Sequence, residues 1–131
     1  TMNSDLITLS VPAKPEYVMI TRLTSAAVAT RIGFDVDQIE DIKMAVAQAI
    51  IMIINQLTSP DKLLVSFSLE PKVIGIRIMG EGNWKSNDIS THDLDQAQLG
   101  KYILGSMMDK VEYKIDNGTI QAILMHKNLG V

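Results

Sequence analysis

The stretch MAVAQAIIMIIN, Met44–Asn55, decides how this chain folds. It is a nearly continuous apolar run without glycine or proline, and Gln48 is the one polar side chain inside it. Such a run predicts a helix that is buried in the core. At 3.6 residues per turn, Gln48 and Met52 lie one above the other on the same helix face. Whatever meets that face therefore meets an amide and a thioether, and neither group is ionisable.

Length and composition predict one globular domain over residues 1–131. The chain is 47% apolar with a mean hydropathy of +0.15, which is enough to bury a proper core. A formal net charge of -3, three tyrosines, two phenylalanines and one tryptophan offer little to a nucleic acid. The absence of cysteine excludes disulfides, zinc-thiolate sites and a thiol nucleophile. We therefore expect no nucleic-acid partner and no metal held by thiolates.

The sequence also predicts where the protein works. Its first residues show no basic segment followed by an apolar one, so no secretory signal is visible. The apolar run that ends at Ile54 is too short to cross a bilayer, which takes ~20 residues. We expect a cytoplasmic protein without a membrane partner.

Local patterns predict the first three elements. Alternating apolar and polar residues predict a strand over Leu6–Val11. Pro15 suits the first turn of a helix, and Gly33 supplies its C-terminal stop. Asp35 or Asp37 can cap a second helix, with a glutamine or glutamate three residues on to complete a capping box. That second helix then continues through the apolar run.

The second half of the chain predicts two hairpins and a third helix. Alternation places four strands at Leu63–Leu69, Val73–Met79, Val111–Ile115 and Ile120–Met125. The Asn117-Gly118 pair is a strong hairpin signal. After Gly82 the composition becomes polar and predicts a mobile surface loop, and apolar residues at helical spacing predict a helix over Leu99–Met108. The order predicts an α/β fold, a two-layer α+β sandwich with helices on one face of a mainly antiparallel mixed sheet.

Three segments carry a resemblance to a known family. They are VPAKPEY at Val11–Tyr17, the pair Arg22-Leu23, and DQIEDIK at Asp37–Lys43. These segments resemble the bacterial anti-sigma-factor serine kinases of stress response and sporulation, members of the GHKL, or histidine-kinase-like, ATPase superfamily. The match covers almost the entire chain and extends to its length and element order. The resemblance implies the Bergerat-type ATPase fold of that superfamily and a homodimer.

The resemblance also assigns roles on the second helix. In the family this helix carries Glu-Ala-x-x-Asn-Ala, where the glutamate is the general base and the asparagine coordinates magnesium. Those positions hold Gln48 and Met52 here. A neutral amide cannot take a proton near pH 7, and magnesium requires hard oxygen ligands, whereas a thioether is soft. We therefore expect no catalytic base and no metal site at these positions.

The purine-binding motif of the family is altered as well. Its Asp-x-Gly-x-Gly places an aspartate against the adenine amine, and its glycines let the backbone approach the ligand. Ile78 stands in the place of the aspartate, followed by Gly80 and Gly82, which can equally serve only as turn residues. An adenine amine without a partner costs about 1 to 3 kcal/mol, and loss of the metal adds to this, so we expect ATP affinity to fall by about a hundredfold or more.

Three further positions of the family's nucleotide site keep suitable residues. They are Leu99 and Gly100 in the third helix and Thr119 in the final hairpin. We expect Met52 and Ile78 to pack into the volume that a nucleotide would fill and to close the pocket with apolar contacts. No cofactor is then expected to bind.

Two functional hypotheses follow from the resemblance. The first is a binding module of a partner-switching system, which has lost phosphotransfer and holds a sigma factor or an anti-anti-sigma protein by occupancy alone. Arg22, expected to be exposed on the first helix, then contributes to the partner surface. The alternative is an active ATP- and magnesium-dependent serine/threonine kinase that sequesters a sigma factor and phosphorylates its anti-anti-sigma partner.

Overall fold

In the described part of the chain, a five-stranded sheet and three α-helices form the fold. The computed structural model describes residues 5–85 and 91–130, apart from the side chains of residues 59, 60 and 91–94. In chain order the elements are β1 Asp5–Pro12, a 3-10 turn Pro15–Tyr17, α1 Val18–Ile32, α2 Val36–Ile54, β2 Leu57–Glu70, β3 Val73–Trp84, α3 Thr91–Met107, β4 Lys110–Asp116 and β5 Thr119–Asn128. This is the predicted order of elements.

The sheet has the strand order β1-β2-β3-β5-β4, and all four of its described ladders are antiparallel. Val65 pairs with Ile78, and Ile78 pairs with Ile123 on the next strand. Because paired residues share a face, these three buried side chains point to the same side of the sheet. The helices pack on that side, which confirms the predicted two-layer sandwich. Among the described pairs the sheet is purely antiparallel rather than mixed.

Local signals set the ends of the first two helices. Gly33 ends α1 with a φ of +115°, which favours glycine, and its N–H donates to the carbonyl of Ala29 at 3.1 Å. Asp35, rather than Asp37, is the cap of α2. Its Oδ1 accepts from the N–H of Gln38 at 2.8 Å, and the Gln38 side chain accepts from the N–H of Asp35 at 3.2 Å. This capping box fixes where α2 begins.

The helix α2 lies at the centre of the helical layer. It contacts α1 on one side, α3 on the other, and strands of the sheet beneath it. Its fully buried side chains include Ile42, Ile50 and Ile53, each of which stabilises the fold by roughly 1.5 to 3 kcal/mol relative to exposure. The predicted helix is confirmed, and it is buried toward the sheet, whereas Met44 and Ile51 of the apolar run are 49% and 44% exposed. No helix in the described part of the chain is long and apolar enough to cross a membrane.

The segment after Gly82 differs from its prediction as a loop. The strand β3 extends to Trp84, five residues beyond its predicted end at Met79, and α3 begins at Thr91 instead of Leu99. Asp95 and Gln96 therefore lie in a helix, with their side chains exposed. Because Asp95 and Gln96 are exposed, this part of α3 lacks the apolar spacing that marks a buried helix. Lys85 follows β3 outside any helix or strand, and residues 86–90 of the predicted loop lie outside the described residues.

The final hairpin turns at Asn117 and Gly118, as predicted. Their φ values of +51° and +77° are those of a two-residue turn with both central residues left-handed. The turn joins β4 to β5, and β5 then forms the ladder with β3 that joins the hairpin to the rest of the sheet.

The helix α3 approaches α2 most closely at Gly100. A Cβ atom on Gly100 would lie 2.6 Å from Sδ of Met52 and 3.0 Å from Nε2 of Gln48. Glycine at this position is therefore what lets the two helices pack so tightly. On its other side, α3 places Nζ of Lys101 at 5.1 Å from the centroid of the Tyr113 ring, and burial raises the pKa of the Tyr113 phenol.

Two glycines of α3 test this close approach. A Cβ atom on Gly105 would have nothing within 4 Å, so we expect Gly105→Ala to raise the free energy of unfolding by about 0.5 to 1 kcal/mol through helix propensity. Gly100→Ala brings the same gain in propensity but forces Met52 and Gln48 to move. In urea denaturation we therefore expect Gly100→Ala to leave the free energy of unfolding unchanged or to lower it. Equal gains for the two variants would contradict the tight contact.

Candidate functional site

The predicted catalytic face of α2 is in contact with α3. Gln48 is half-buried and Met52 is 7% exposed, and both meet Gly100. The structure thus brings together three of the residues that the sequence assigned to one site. The backbone of α3 lies against the thioether and the amide at the two positions where the family has its base and its metal ligand.

Ile78 belongs to the core of the sheet and is completely buried. The carboxylate of Glu81 lies on the opposite face of β3, since Glu81 pairs with Lys62 and Gly80 faces the helices. Oε1 of Glu81 lies 3.8 Å from Nζ of Lys62. The position that reads the adenine amine in the family is therefore an apolar core residue, and the neighbouring carboxylate points away from it.

The indole of Trp84 covers Gly80. A Cβ atom on Gly80 would lie 2.7 Å from Cη2 of Trp84 and 2.7 Å from Cγ2 of Ile53. The sequence places Trp84 near the mouth of the expected pocket, two residues after Gly82, but the family motifs assign it no role. The sequence does contain an indication of this contact. Residues 80, 82 and 84 are alternate residues of one strand, so they lie on the same face of the sheet. The backbone position that approaches a purine in the family is here in contact with a side chain of the same chain.

Three other predicted positions do not join this cluster. Gly82 is exposed with a φ of +143°, and Leu99 is 54% exposed. Thr119 is buried, but its Oγ1 donates to the carbonyl of Asp116 at 2.8 Å and accepts from Nε2 of Gln121 at 3.3 Å. Its hydroxyl group is thus engaged within its own hairpin.

A cavity of about 400 Å³ remains beside the α2–α3 contact. Its polar lining residues are Gln48, Asn55, Gln56, Lys85 and Gln96. Its apolar lining residues are Ile51, Met52, Ala97 and Ile120. The expected closure of the pocket by Met52 and Ile78 is therefore wrong in part. Met52 forms a wall of the cavity, whereas Ile78 is held within the sheet and does not reach it.

Arg22 lies apart from this cavity, on α1, and is only partly exposed rather than fully exposed as expected. Its Nε atom is buried and has no hydrogen-bond partner among the described residues. Two neighbours on α1, Met19 and Leu23, are each 57% exposed. Arg22 thus lies in a surface that is unusually apolar for a helix exposed to solvent.

No group of three or more histidine, aspartate or glutamate side chains in the described part of the chain is arranged to hold a metal ion. Within the cavity, Lys85 is the only charged residue of the described lining. The described lining can donate and accept hydrogen bonds through its amides, but none of these residues is a carboxylate or a histidine that could act as a base or as an anionic metal ligand.

Comparison of the sequence with known proteins identifies the family of this chain. The model of the histidine kinase-like ATPase domain matches residues 11–127. Serine-protein kinase RsbW of Bacillus subtilis is 32% identical over 141 positions, which cover 96% of this chain and 88% of that protein. RsbW of Halalkalibacterium halodurans is 32% identical over 91% of this chain and 82% of its own length. RsbW of Bacillus licheniformis is 33% identical over 88% of this chain and 81% of its own length.

The alignment with the Bacillus subtilis protein is ten positions longer than the 131 residues of this chain, so that relative carries at least ten residues without a counterpart here. The shared length and identity nevertheless confirm the resemblance found in the sequence. The chain belongs to the histidine kinase-like ATPase family and is a relative of the RsbW serine-protein kinases.

Proposed function

We propose that this protein is a regulatory binding protein of an anti-sigma type of partner switching, which holds its partner in the cytoplasm without phosphotransfer. Its partner is a sigma factor, an anti-anti-sigma protein, or both in turn. One observation carries the proposal: Gly100 of α3 packs against Gln48 and Met52, the two positions that would hold the base and the metal ligand.

Phosphoryl transfer places two demands on this site. A base must accept the proton of the attacking hydroxyl, and Mg²⁺ must neutralise the phosphate charge. Gln48 is neutral, and an amide oxygen from one side chain is a poor substitute for a full set of hard ligands. The described lining of the cavity adds no carboxylate. These residues support a protein that binds its partner without catalysis. Such binding needs neither ATP nor magnesium.

The purine position supports the same proposal. A purine that approached Gly80 as in the family would have to displace the indole of Trp84 from the backbone of Gly80. That displacement exposes apolar surface, and each Å² costs about 25 cal/mol. The purine would then meet Ile78, which offers its amine no hydrogen-bond acceptor.

The names of the relatives favour a second candidate function. RsbW proteins of three Bacillaceae species are named serine-protein kinases, and they align with this chain over most of its length. As a kinase, this chain would use ATP and magnesium to phosphorylate an anti-anti-sigma partner. That function requires a base and a metal ligand outside the family positions, which hold Gln48 and Met52.

The surface of α1 suits a protein partner. Arg22 lies among exposed apolar side chains, and its buried Nε has an unused donor. Arginine and methionine are enriched at the centres of protein interfaces, where large apolar contacts surround a few directed hydrogen bonds. We assign the first contact with the partner to Arg22, Met19 and Leu23.

The open face of the sheet suits a second copy of the chain. Leu124 lies on this face, with Arg77 paired to it on β3 and Glu112 paired to it on β4. A two-fold axis parallel to the strands and above Leu124 would set Arg77 opposite Glu112 of the partner subunit. Such an isologous contact is the commonest route to a homodimer, and we propose that the protein is one.

Phosphotransfer is tested with γ-labelled ATP, Mg²⁺ and a purified anti-anti-sigma protein. We expect no labelled partner above background with this chain or with Gln48→Ala, because neither carries a base at that position. Trp84 fluorescence should show no saturation at micromolar Mg-ATP. The Bacillus subtilis RsbW with its own partner is the positive control. Transfer by the parent chain that disappears in Gln48→Ala would contradict the proposal.

Partner capture is tested on α1. We expect Arg22→Ala to weaken binding of the captured partner by about tenfold or more in calorimetry, because a central interface arginine is lost. Arg31→Ala is the matched control, since nine residues along the helix place Arg31 on the opposite side of α1. Urea midpoints of both variants should stay close to that of the parent. Equal affinity for both variants would remove Arg22 from the interface.

The homodimer is tested by light scattering on size-exclusion fractions. We expect Leu124→Lys to produce monomers, because it places a charge at the centre of the open face. Leu99→Lys, a change of an exposed leucine on α3, should leave the dimer intact. A monomeric parent chain, or a dimer that survives Leu124→Lys, would refute this interface.

A further inference from the structure

The surface assigned to the partner on α1 includes a thioether that is open to solvent. Met19 is 57% exposed, which is more than any other methionine in the described part of the chain. Met44 of α2 follows at 49%. The other five described methionines are buried or half-buried: Met52, Met79, Met107, Met108 and Met125. A dissolved oxidant therefore reaches Met19 and Met44 first.

Methionine is the only residue type of this chain that carries sulfur, because the chain has no cysteine. Its thioether is oxidised to a sulfoxide by peroxides. The sulfur attacks one oxygen of hydrogen peroxide, the O–O bond breaks, and the proton on the transferred oxygen goes to the leaving hydroxide to give water. The sulfur loses two electrons and the peroxide gains them. An apolar, flexible side chain thereby becomes polar and chiral.

Arg22 is the residue of α1 that such a change at Met19 affects most directly. The two residues are three apart in the helix, so their side chains are neighbours on its surface. Helical side chains lean toward the N-terminus, which tilts the arginine toward the turn that carries Met19. The Nε atom of Arg22 is buried, and no described residue accepts its hydrogen. An unused donor thus lies within one helical turn of the exposed thioether.

The reduced form of Met19 does not satisfy this donor. A thioether sulfur is a weak hydrogen-bond acceptor. The nearest hydroxyl groups along the chain, those of Thr21 and Thr24, donate to backbone carbonyls of the preceding turn at 3.5 and 2.8 Å. A sulfoxide oxygen bears a partial negative charge and is a much better acceptor for a guanidinium N–H. Oxidation of Met19 therefore creates an acceptor beside the unused donor.

We propose that Met19 is an oxidation site that controls partner binding, and that its sulfoxide oxygen accepts a hydrogen bond from Nε of Arg22. The inference rests on the proposed function, in which Arg22, Met19 and Leu23 make the first contact with the partner. Oxidation replaces apolar surface by polar surface and occupies the donor that the partner would otherwise use. A peroxide thereby releases the partner, and this release needs no phosphotransfer.

The site of oxidation is tested on the free protein by peptide mapping after treatment with hydrogen peroxide. We expect Met19 and Met44 to gain one oxygen atom well before the buried Met52, Met108 and Met125, because they are exposed. A saturating concentration of the partner should protect Met19 and leave Met44 reactive. A Met19 that stays reduced while the buried methionines are oxidised would overturn the site.

The effect on binding is measured by calorimetry, with each variant compared with itself before and after oxidation. The partner is whichever of the sigma factor and the anti-anti-sigma protein binds the untreated chain, and the peroxide is removed before it is added. We expect oxidation to weaken binding by about tenfold or more in the parent chain, because a polar group enters an apolar contact. The loss should vanish in Met19→Leu and persist in Met44→Leu, the matched control. Methionine sulfoxide reductases with a thiol should restore the affinity.

Two further variants test the polarity of the site and the role of Arg22. Met19→Gln introduces a polar acceptor without any oxidant, and we expect it to weaken binding by a similar factor. In Arg22→Ala, oxidation should reduce the affinity by a smaller factor than in the parent chain, because no Nε donor remains to be occupied. The urea midpoint of Met19→Gln should stay close to that of the parent, since Met19 is exposed. Equal factors with and without Arg22 would refute the hydrogen bond.

Two results would overturn the inference as a whole. They are full affinity after complete oxidation of Met19, and an equal loss of affinity on oxidation of Met19→Leu. Either result requires a chain that binds its partner before treatment, so it leaves the proposed function intact. An untreated chain that binds neither partner would instead refute the proposed function, and this inference with it.

Discussion

The burial of α2 is the constraint on which the rest of this structure depends. The helix packs between α1 and α3 above the sheet, so it meets another element on three sides, whereas Met44 and Ile51 are exposed on its outer side. Its side chains must therefore suit their neighbours in volume and polarity, because a well-packed interior tolerates neither voids nor unpaired charges. The face with Gln48 and Met52 is part of this packing, and a change of chemistry there is also a change in how two helices fit.

Neutral residues make the close contact between α2 and α3 possible. An ionised glutamate beside the α3 backbone would lose hydration, and a metal ion would require water and oxygen ligands in the same space. Gln48 and Met52 carry no such requirement, and α3 approaches them as far as the missing side chain of Gly100 allows. The indole of Trp84 occupies the approach to Gly80 in a similar manner. Both contacts are made within the chain, at positions that the resemblance assigns to the nucleotide site.

The fold leaves several surfaces open to other molecules. The packing of α3 on α2 leaves a cavity whose described lining combines apolar residues with amides and one lysine. Partner binding, by contrast, is assigned to surfaces formed by other elements, α1 and the open face of the sheet. The three surfaces are thus separate in the fold and can be tested separately.

The sequence by itself determined the elements and most of their ends, because those depend on neighbours in the chain. The capping box at Asp35 and Gln38, the stop at Gly33 and the Asn117-Gly118 turn are all local hydrogen-bond or φ preferences. The motifs also located the altered positions on α2 and β3. Only the tertiary structure decided what now faces those positions. Met52 and Gly100 are 48 residues apart in the chain, and neither periodicity nor composition encodes the distance between two packed helices. The exposed residues Asp95 and Gln96 of α3 and the open cavity escaped prediction for the same reason: both depend on which faces the fold leaves uncovered.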